Sequence, residues 1–315
     1  MEATCTNLPR NYHNNTNIIM ERREFLTTSG KLVLASLFAV QCKSKQMAQE
    51  AGLKNIGLQL YTVRDDMDAD ALGTLKIIAD IGFDHVESAG YNEGKFYGMA
   101  PKEYKKTLSD LGLEMYTGHT RTGVTEPDNT RTMSQNWEAV CEDAAVVGQQ
   151  YLICGWLDPN ERKTIDDYKR TADLLNICGE VSNKYGIKTG FHNHDFEFIA
   201  IDDQMPYDLM LEETDADKVC FELDHYWTRK AGVNGPAYMK AHKGRFPLWH
   251  IKDMENSDEQ YFTEVGSGVI NWKEIFKYKN DSGMQYFFVE QDTCRNYKPL
   301  RSAEIGHDFL STLSV

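Results

Sequence analysis

The sequence predicts a single (β/α)8 TIM barrel, an α/β fold, over residues 53–315, and three observations carry that expectation. Short β-type runs alternate with helix-patterned stretches eight times, glycines stand where several helices should end, and nearly every strand closes on a polar or charged residue. In such a barrel the reactive groups collect at the C-terminal strand ends, so the third observation bears on function as well as fold.

In chain order, strands are expected at 55–61, 85–88, 114–118, 150–154, 188–192, 219–224, 248–252 and 286–290. Helices are expected near 69–81, 101–111, 132–148, 166–185, 206–213, 234–243, 271–280 and 300–312. Asp80-Ile81-Gly82, Asp110-Leu111-Gly112 and Lys184-Tyr185-Gly186 each put a glycine where a helix must stop before the next strand. Glycine adopts the left-handed terminating conformation at low steric cost. The competing architecture, an open doubly wound sheet, would place a glycine-rich phosphate loop after the first strand. Residues 61–68 contain no glycine. Gly266-Ser267-Gly268 is too short and too late to serve, and is expected to shape the loop before the seventh helix.

Residues 1–50 read as a leader rather than part of the fold. Glu21-Arg22-Arg23-Glu24-Phe25-Leu26 precedes a short apolar stretch from Leu32 to Val40. A charged start, an apolar segment and a polar exit make an export signal, and the paired arginines suggest the twin-arginine type. The stretch is too short to span a bilayer. Met20 is a candidate initiator. Cys42 is a candidate lipid anchor, although Gln41 before it is larger than such sites prefer. The expected location is exported, in the periplasm.

Composition narrows the function. Thirty-four basic and 48 acidic side chains give a net charge of −14, a field that repels nucleic acid and anionic membranes. No basic patch beyond residue 50 offsets it; pairs such as Lys105-Lys106 read as solvated helix faces. The seven cysteines are odd in number and none is spaced C-x-x-C, so neither a disulfide framework nor a cysteine zinc site is expected.

The strand ends carry the chemistry. Strand one ends in Gln59, Tyr61 and Arg64, strand two in Glu87, strand three in His119, and strand four leads to Trp156. Strand five ends His192-Asn193-His194, strand six Glu222-Leu223-Asp224, strand seven His250-Ile251-Lys252, and strand eight at Glu290. Period-two alternation puts His192 with His194, Asp224 with Glu222, and His250 with Lys252 on shared faces. Four consecutive strands can therefore aim His192, Asp224, His250 and Glu290 at one point. Mixed imidazole and carboxylate donors suit Mn, Zn, Co or Fe as one divalent metal better than Ca. Glu222 is expected to pair inside the barrel, and Asp253 and Asp292 to act as cap or turn residues.

At these residues the chain resembles the xylose isomerase-like TIM barrels, a family usually described as sugar phosphate isomerases and epimerases. The likeness runs from Ile56 to about Phe309. It is carried by Gly57-Leu58-Gln59-Leu60-Tyr61-Thr62-Val63-Arg64, by Phe191-His192-Asn193-His194-Asp195-Phe196-Glu197-Phe198 and by Glu222-Leu223-Asp224-His225-Tyr226-Trp227. His250-Ile251-Lys252-Asp253 and Val265-Gly266-Ser267-Gly268 complete it. The resemblance implies a metal held by a Glu, an Asp, a His and a Glu after strands five to eight. Asp224, His250 and Glu290 match the last three. The first position departs: where many relatives read Glu-Asn-His this chain reads His192-Asn193-His194, so His192, His194 or Glu197 completes the set.

The resemblance further implies a small carbohydrate substrate. The expected chemistry is proton removal beside a sugar ketone, with the enediolate stabilised by a Lewis acid and with Glu290, His192 or His194 as base. Lys252 and Arg64 would bind substrate oxygens. Tyr61, Trp156, Tyr226 and Trp227 would pack on sugar rings, with Gln59, Glu87 and His119 beside them. Family precedent puts isomerisation or epimerisation first. Elimination from a 3-keto-glycoside follows closely, because one of the two family glutamates is missing. A carbohydrate-binding barrel without turnover is a third reading. A DNA repair endonuclease on a related barrel would need more ligands and a basic groove.

Overall fold

The computed structural model describes residues 52–126 and 128–315. The leader expected at 1–50, with Cys42, lies outside the described residues.

Eight parallel strands close a barrel: β1 (Gly57–Gln59), β2 (His85–Ser88), β3 (Glu114–Thr120), β4 (Tyr151–Cys154), β5 (Lys188–His192), β6 (Val219–Asp224), β7 (Leu248–Ile251) and β8 (Tyr286–Val289). Each strand pairs with its sequence neighbours, and β1 closes the ring by pairing with both β2 and β8. The α1 helix (Arg64–Ile81) follows β1, α2 (Pro101–Asp110) follows β2, α3 (Trp137–Val147) follows β3 and α4 (Ile165–Ser182) follows β4. Next come α5 (Pro206–Glu213), α6 (His225–Lys230), α7 (Gly235–Ala241), α8 (Trp272–Ile275), α9 (Lys279–Ser282) and α10 (Pro299–Thr312).

Local sequence explains these elements. In α4 the residues Ile165, Tyr168, Ala172, Leu175 and Cys178 are buried at three- and four-residue spacing, the stripe that packs a helix onto a sheet. Thr164 and Asp167 form a reciprocal capping box at its start. Gly82 ends α1 with φ of 110°, as its place in the sequence required.

Several expectations need correction. Strand one stops at Gln59, because the Gln59 side-chain oxygen accepts the Tyr61 N–H at 3.0 Å and turns the chain. The first helix starts at Arg64, not 69, and Asp70 interrupts it with φ −156° and ψ 85°, so the sequence pattern captured only its second part. The α6 helix was not expected at all.

Inside the barrel, alternate residues form layers. Ile153, Cys220, Leu248 and Phe288 make a small apolar plug. Two residues further along three of these strands stand Glu222, His250 and Glu290, and beyond the first two come Asp224 and Lys252. Burying ionisable groups is tolerated only where they satisfy one another or bind a ligand, so the interior turns from plug to site within one strand length. Cys141, Cys154, Cys178 and Cys220 are buried free thiols, and Cys294 is half-buried. Among the described residues no helix is long and apolar enough to cross a membrane.

Candidate active site

Register brings four side chains together. Asp224 pairs with His250 across β6 and β7, His192 with Glu222 across β5 and β6, and Glu290 follows β8 directly, its N–H donating to Ile251 O at 3.1 Å. One donor atom from each of His192, Asp224, His250 and Glu290 lies within 4.8 Å of every other. The His250 Nδ1 is 2.6 Å from Glu290 Oε2, and His192 Nε2 is 3.4 Å from Asp224 Oδ2.

These contacts are close without being aligned as hydrogen bonds. His192 Nδ1 and Nε2, Asp224 Oδ2, His250 Nδ1 and Glu290 Oε2 are all buried and make no aligned hydrogen bond, the two carboxylate oxygens lying 3.1 and 2.7 Å from Lys252 Nζ. Orphaned buried donors and acceptors are costly, and here they converge. Two imidazoles and two carboxylates are a donor set that fits a borderline divalent cation such as Mn2+, Zn2+, Co2+ or Fe2+. His194 and Glu197 stand outside the quartet. Glu197 Oε2 accepts the His194 backbone N–H at 2.7 Å, and the His194 ring stacks on Phe196.

Electrostatics differ sharply around this point. Burial lowers the His192 imidazole to about 4 and pushes His194 well below its usual value, so both stay neutral with a lone pair available. Burial opposes charge on Glu290 as well, but Lys252 and His250 outweigh it and hold the carboxylate well below the usual range. Lys252 is held charged against its own burial by Asp224, Asp292 and Glu290.

A cleft of about 590 Å³ opens above the quartet. Its lining includes Tyr61, His119, Trp156, His192, His194, Trp227, Lys252 and Glu290. Trp156 and Tyr61 are about half exposed on the rim.

Other expected substrate contacts lie elsewhere. Gln59 and Glu87 are fully buried below the quartet: Gln59 Nε2 donates to Glu87 Oε2 at 2.7 Å, and Glu87 Oε2 sits 2.6 Å from His250 Nε2. Both side chains are engaged in the interior network around His250 Nε2 rather than in the cleft. Arg64 donates to the carbonyls of Tyr61 and Asp292 at 2.8 and 3.0 Å, tying the first and last strand loops together outside the cleft. Tyr226 is buried on α6, its hydroxyl donating to Gln260 O, because the unexpected helix turns it away from the cleft and presents Trp227 instead. Glu222 pairs inside the barrel as expected, 2.8 Å from His119 Nε2 and 3.1 Å from His250 Nε2.

Asp292 is a cleft residue, accepting from Lys252 Nζ at 2.7 Å, and not merely a turn former. Asp253 does organise a loop, accepting from the Gly266 N–H, the Ile270 N–H and Trp272 Nε1. The sequence reading also missed Tyr91, Arg121, Asn129 and Arg131, which line the far wall. Tyr91 lies on a two-residue strand of a small hairpin and the other three on irregular chain, neither long enough to show a period; the pair of arginines was the available signal.

Comparison with known proteins agrees with this architecture. Residues 75–313 match the family described as Xylose isomerase-like TIM barrel. The chain is 25% identical over 258 residues to an inosose dehydratase of Salmonella agona, covering 71% of this chain and 84% of that one. A crystal structure of a sugar phosphate isomerase/epimerase from Parabacteroides distasonis superposes with a TM-score of 0.70 at 29% identity, over 82% of this chain and 93% of that one. A 3-keto-D-glucoside 4-epimerase from E. coli shares the fold at a TM-score of 0.61 and 18% identity, over 82% and 99% of the two chains. With three-quarters of its length matched and its barrel closed in the same way, the chain belongs to the xylose isomerase-like TIM barrel family.

Proposed function

We propose that the protein is a divalent-metal-dependent enzyme that removes the proton beside the ketone of a sugar, and that the reaction runs on to eliminate the β substituent of a 3-keto-glycoside. The observation carrying this reading is the quartet of orphaned donor atoms at the floor of a cleft whose walls hold neutral imidazoles and one carboxylate of the set. His192, Asp224, His250 and Glu290 would hold the metal. When bound, it supplies Lewis-acid polarisation of the ketone oxygen, which makes the neighbouring C–H acidic.

The protein's own groups do the rest. His194 faces the cleft with a neutral ring, so it can take the proton at neutral pH; Glu290 is the second candidate base. Loss of that proton leaves an electron pair that forms the C=C bond and expels the oxygen at the β carbon, breaking the glycosidic bond, and the protonated base returns its proton to the departing oxygen. The Lys252 ammonium lies beside the site and favours negative charge developing on substrate oxygen. Trp156 and Tyr61 on the rim, with Trp227 deeper, offer apolar faces for a substrate of two rings, which the cleft volume accommodates.

Elimination moves ahead of isomerisation for two reasons. His192 stands where a second glutamate would complete a two-carboxylate pair, so Glu290 has no equivalent opposite it. The inosose dehydratase relatives, by their name, remove water, which is also a β-elimination. The cleft's cations are committed: Arg121 pairs with Glu126, Arg131 with Asp143 and Lys252 with three carboxylates. That favours a sugar without phosphate, in keeping with an exported location. Isomerisation or epimerisation is the second reading, favoured by the likeness to the P. distasonis structure.

The test is incubation of metal-loaded protein with 3-keto-glycosides and keto-sugars in D2O. Release of the aglycone supports elimination. Deuterium in a rearranged sugar with the glycosidic bond intact would put isomerase or epimerase first. Tight sugar binding with no exchange would leave a carbohydrate-binding barrel.

A further inference from the structure

Among the described residues two groups of potential metal ligands overlap, and they share His250. The upper one is the quartet. The lower one is Glu87, His119, Glu222 and His250, whose donor atoms also lie within 4.8 Å of one another. Their hydrogen bonding separates them.

In the upper group the facing atoms are orphaned. In the lower group protons already fill nearly every position. Glu87 Oε1 accepts from Thr117 Oγ1 at 2.8 Å, and Glu87 Oε2 accepts from Gln59 Nε2 at 2.7 Å and lies 2.6 Å from His250 Nε2. Glu222 Oε2 lies 2.8 Å from His119 Nε2 and 3.1 Å from His250 Nε2, leaving only Glu222 Oε1 without a partner. A cation at the lower position would have to displace Gln59 and both imidazole protons from carboxylates that are buried completely.

We infer that Glu87 and Glu222 are positioning residues: they hold a proton on His250 Nε2 and so turn the lone pair of Nδ1 up toward His192, Asp224 and Glu290. An imidazole has two nitrogens, and the partner of one decides which face of the ring remains free to ligate. Here both acceptors below the ring are carboxylates. Thr117 and Gln59 fix the first of them and His119 the second. Neither carboxylate touches the cleft. They act on the site only through His250.

This inference rests on the proposed metal quartet, and the experiment separates the two. Zn2+ is titrated into wild-type protein and into the Glu87→Gln, Glu222→Gln and Asp224→Ala variants against a competing chelator, and bound metal is counted. In Zn2+-loaded protein with 15N-labelled histidine, the His250 shifts report which nitrogen carries the proton. The inference expects one ion per chain, a metal-bound Nδ1 with a protonated Nε2 in the wild type, and affinity about 10–100-fold weaker in Glu87→Gln and in Glu222→Gln at unchanged stoichiometry. Thr117→Val, which keeps the side chain's shape and removes one bond to Glu87, is expected to weaken binding by a smaller factor and serves if Glu87→Gln does not fold.

Wild-type affinity in Glu87→Gln, Glu222→Gln and Thr117→Val, with no binding by Asp224→Ala, would overturn the positioning role and leave the quartet standing. Two ions in the wild type with one lost in Glu87→Gln would overturn it in favour of a second metal site. No ion in the wild type would overturn the metal-dependent reading itself.

Discussion

Lys252 and Glu290 form an ion pair at the floor of the cleft, with Nζ 2.7 Å from Oε2 and both side chains almost wholly buried. The same ammonium touches Asp224 at 3.1 Å and Asp292 at 2.7 Å. That ammonium therefore faces three carboxylates, and the His250 imidazole beside Glu290 is the other group that favours their charge. A divalent cation at the adjacent quartet would favour that charge further.

Lys252→Met follows from this directly. With the ammonium gone, the buried Asp224 and Glu290 carboxylates and the half-buried Asp292 face one another, and breaking a buried pair in this way costs about 3–5 kcal/mol. Urea unfolding of the metal-free variant is expected to show a midpoint lowered by a corresponding amount. Adding excess Zn2+ or Mn2+ should recover part of the loss. An unchanged midpoint would mean that the carboxylates are not charged together.

Asp224 performs two tasks with two oxygens. Oδ1 accepts the Trp227 N–H at 2.8 Å and caps α6, while Oδ2 faces the quartet, 3.1 Å from Lys252 Nζ. Asparagine caps a helix nearly as well as aspartate, whereas alanine costs about 1 kcal/mol. Asp224→Asn is expected to fold with close to wild-type stability yet bind metal far more weakly. Asp224→Ala should lose the metal and about 1 kcal/mol besides. Calorimetric unfolding with and without chelator distinguishes them.

The barrel was legible because period and punctuation repeat: eight strand–helix alternations and glycines such as Gly82 at helix ends leave few other folds. The strands that bring His192, Asp224, His250 and Glu290 together could be read because alternation along a strand fixes the side each residue faces. What alternation cannot give is which partner an inward side chain meets. Gln59 and Glu87 also end strands and face inward, but they bond to each other and to His250 Nε2 instead of reaching the cleft. Nor does it reveal a turn of helix starting at the last strand residue, which is how Tyr226 came to be buried and Trp227 to reach the cleft. Arg121, Asn129 and Arg131 were opaque for the opposite reason, lying outside any helix or strand that would impose a pattern.

The aromatic rim provides a test of substrate contact separate from the metal. Trp156 is 46% exposed and Tyr61 43% exposed, so truncating either leaves the core intact. Stacking on a sugar face is worth about 1 kcal/mol, close to a fivefold change in binding. Trp156→Ala and Tyr61→Ala are each expected to raise KM about fivefold with little change in kcat or thermal midpoint. A fall in kcat at constant KM would place these rings against the reacting atoms rather than the distal part of the substrate.

Glu197 makes the fold itself pH-dependent. Burial raises its carboxyl from 4.5 to about 8, because the bonds it accepts, including the one from the His194 N–H, do not offset lost hydration. In the unfolded chain the group ionises near its ordinary value, so between about pH 4.5 and 8 the folded state holds a proton that the unfolded state has released. The stabilisation is fully present below that window and is lost across it as pH rises, by up to about 1.4 kcal/mol per pH unit. Glu197→Gln keeps an acceptor for the His194 N–H and cannot ionise. Its stability relative to wild type, measured by urea unfolding, should therefore rise steadily from pH 5 to pH 8 and be most favourable at the alkaline end. A difference that stays constant with pH would mean the carboxyl ionises normally, and the loop carrying His194 would then owe its position to packing on Phe196 instead.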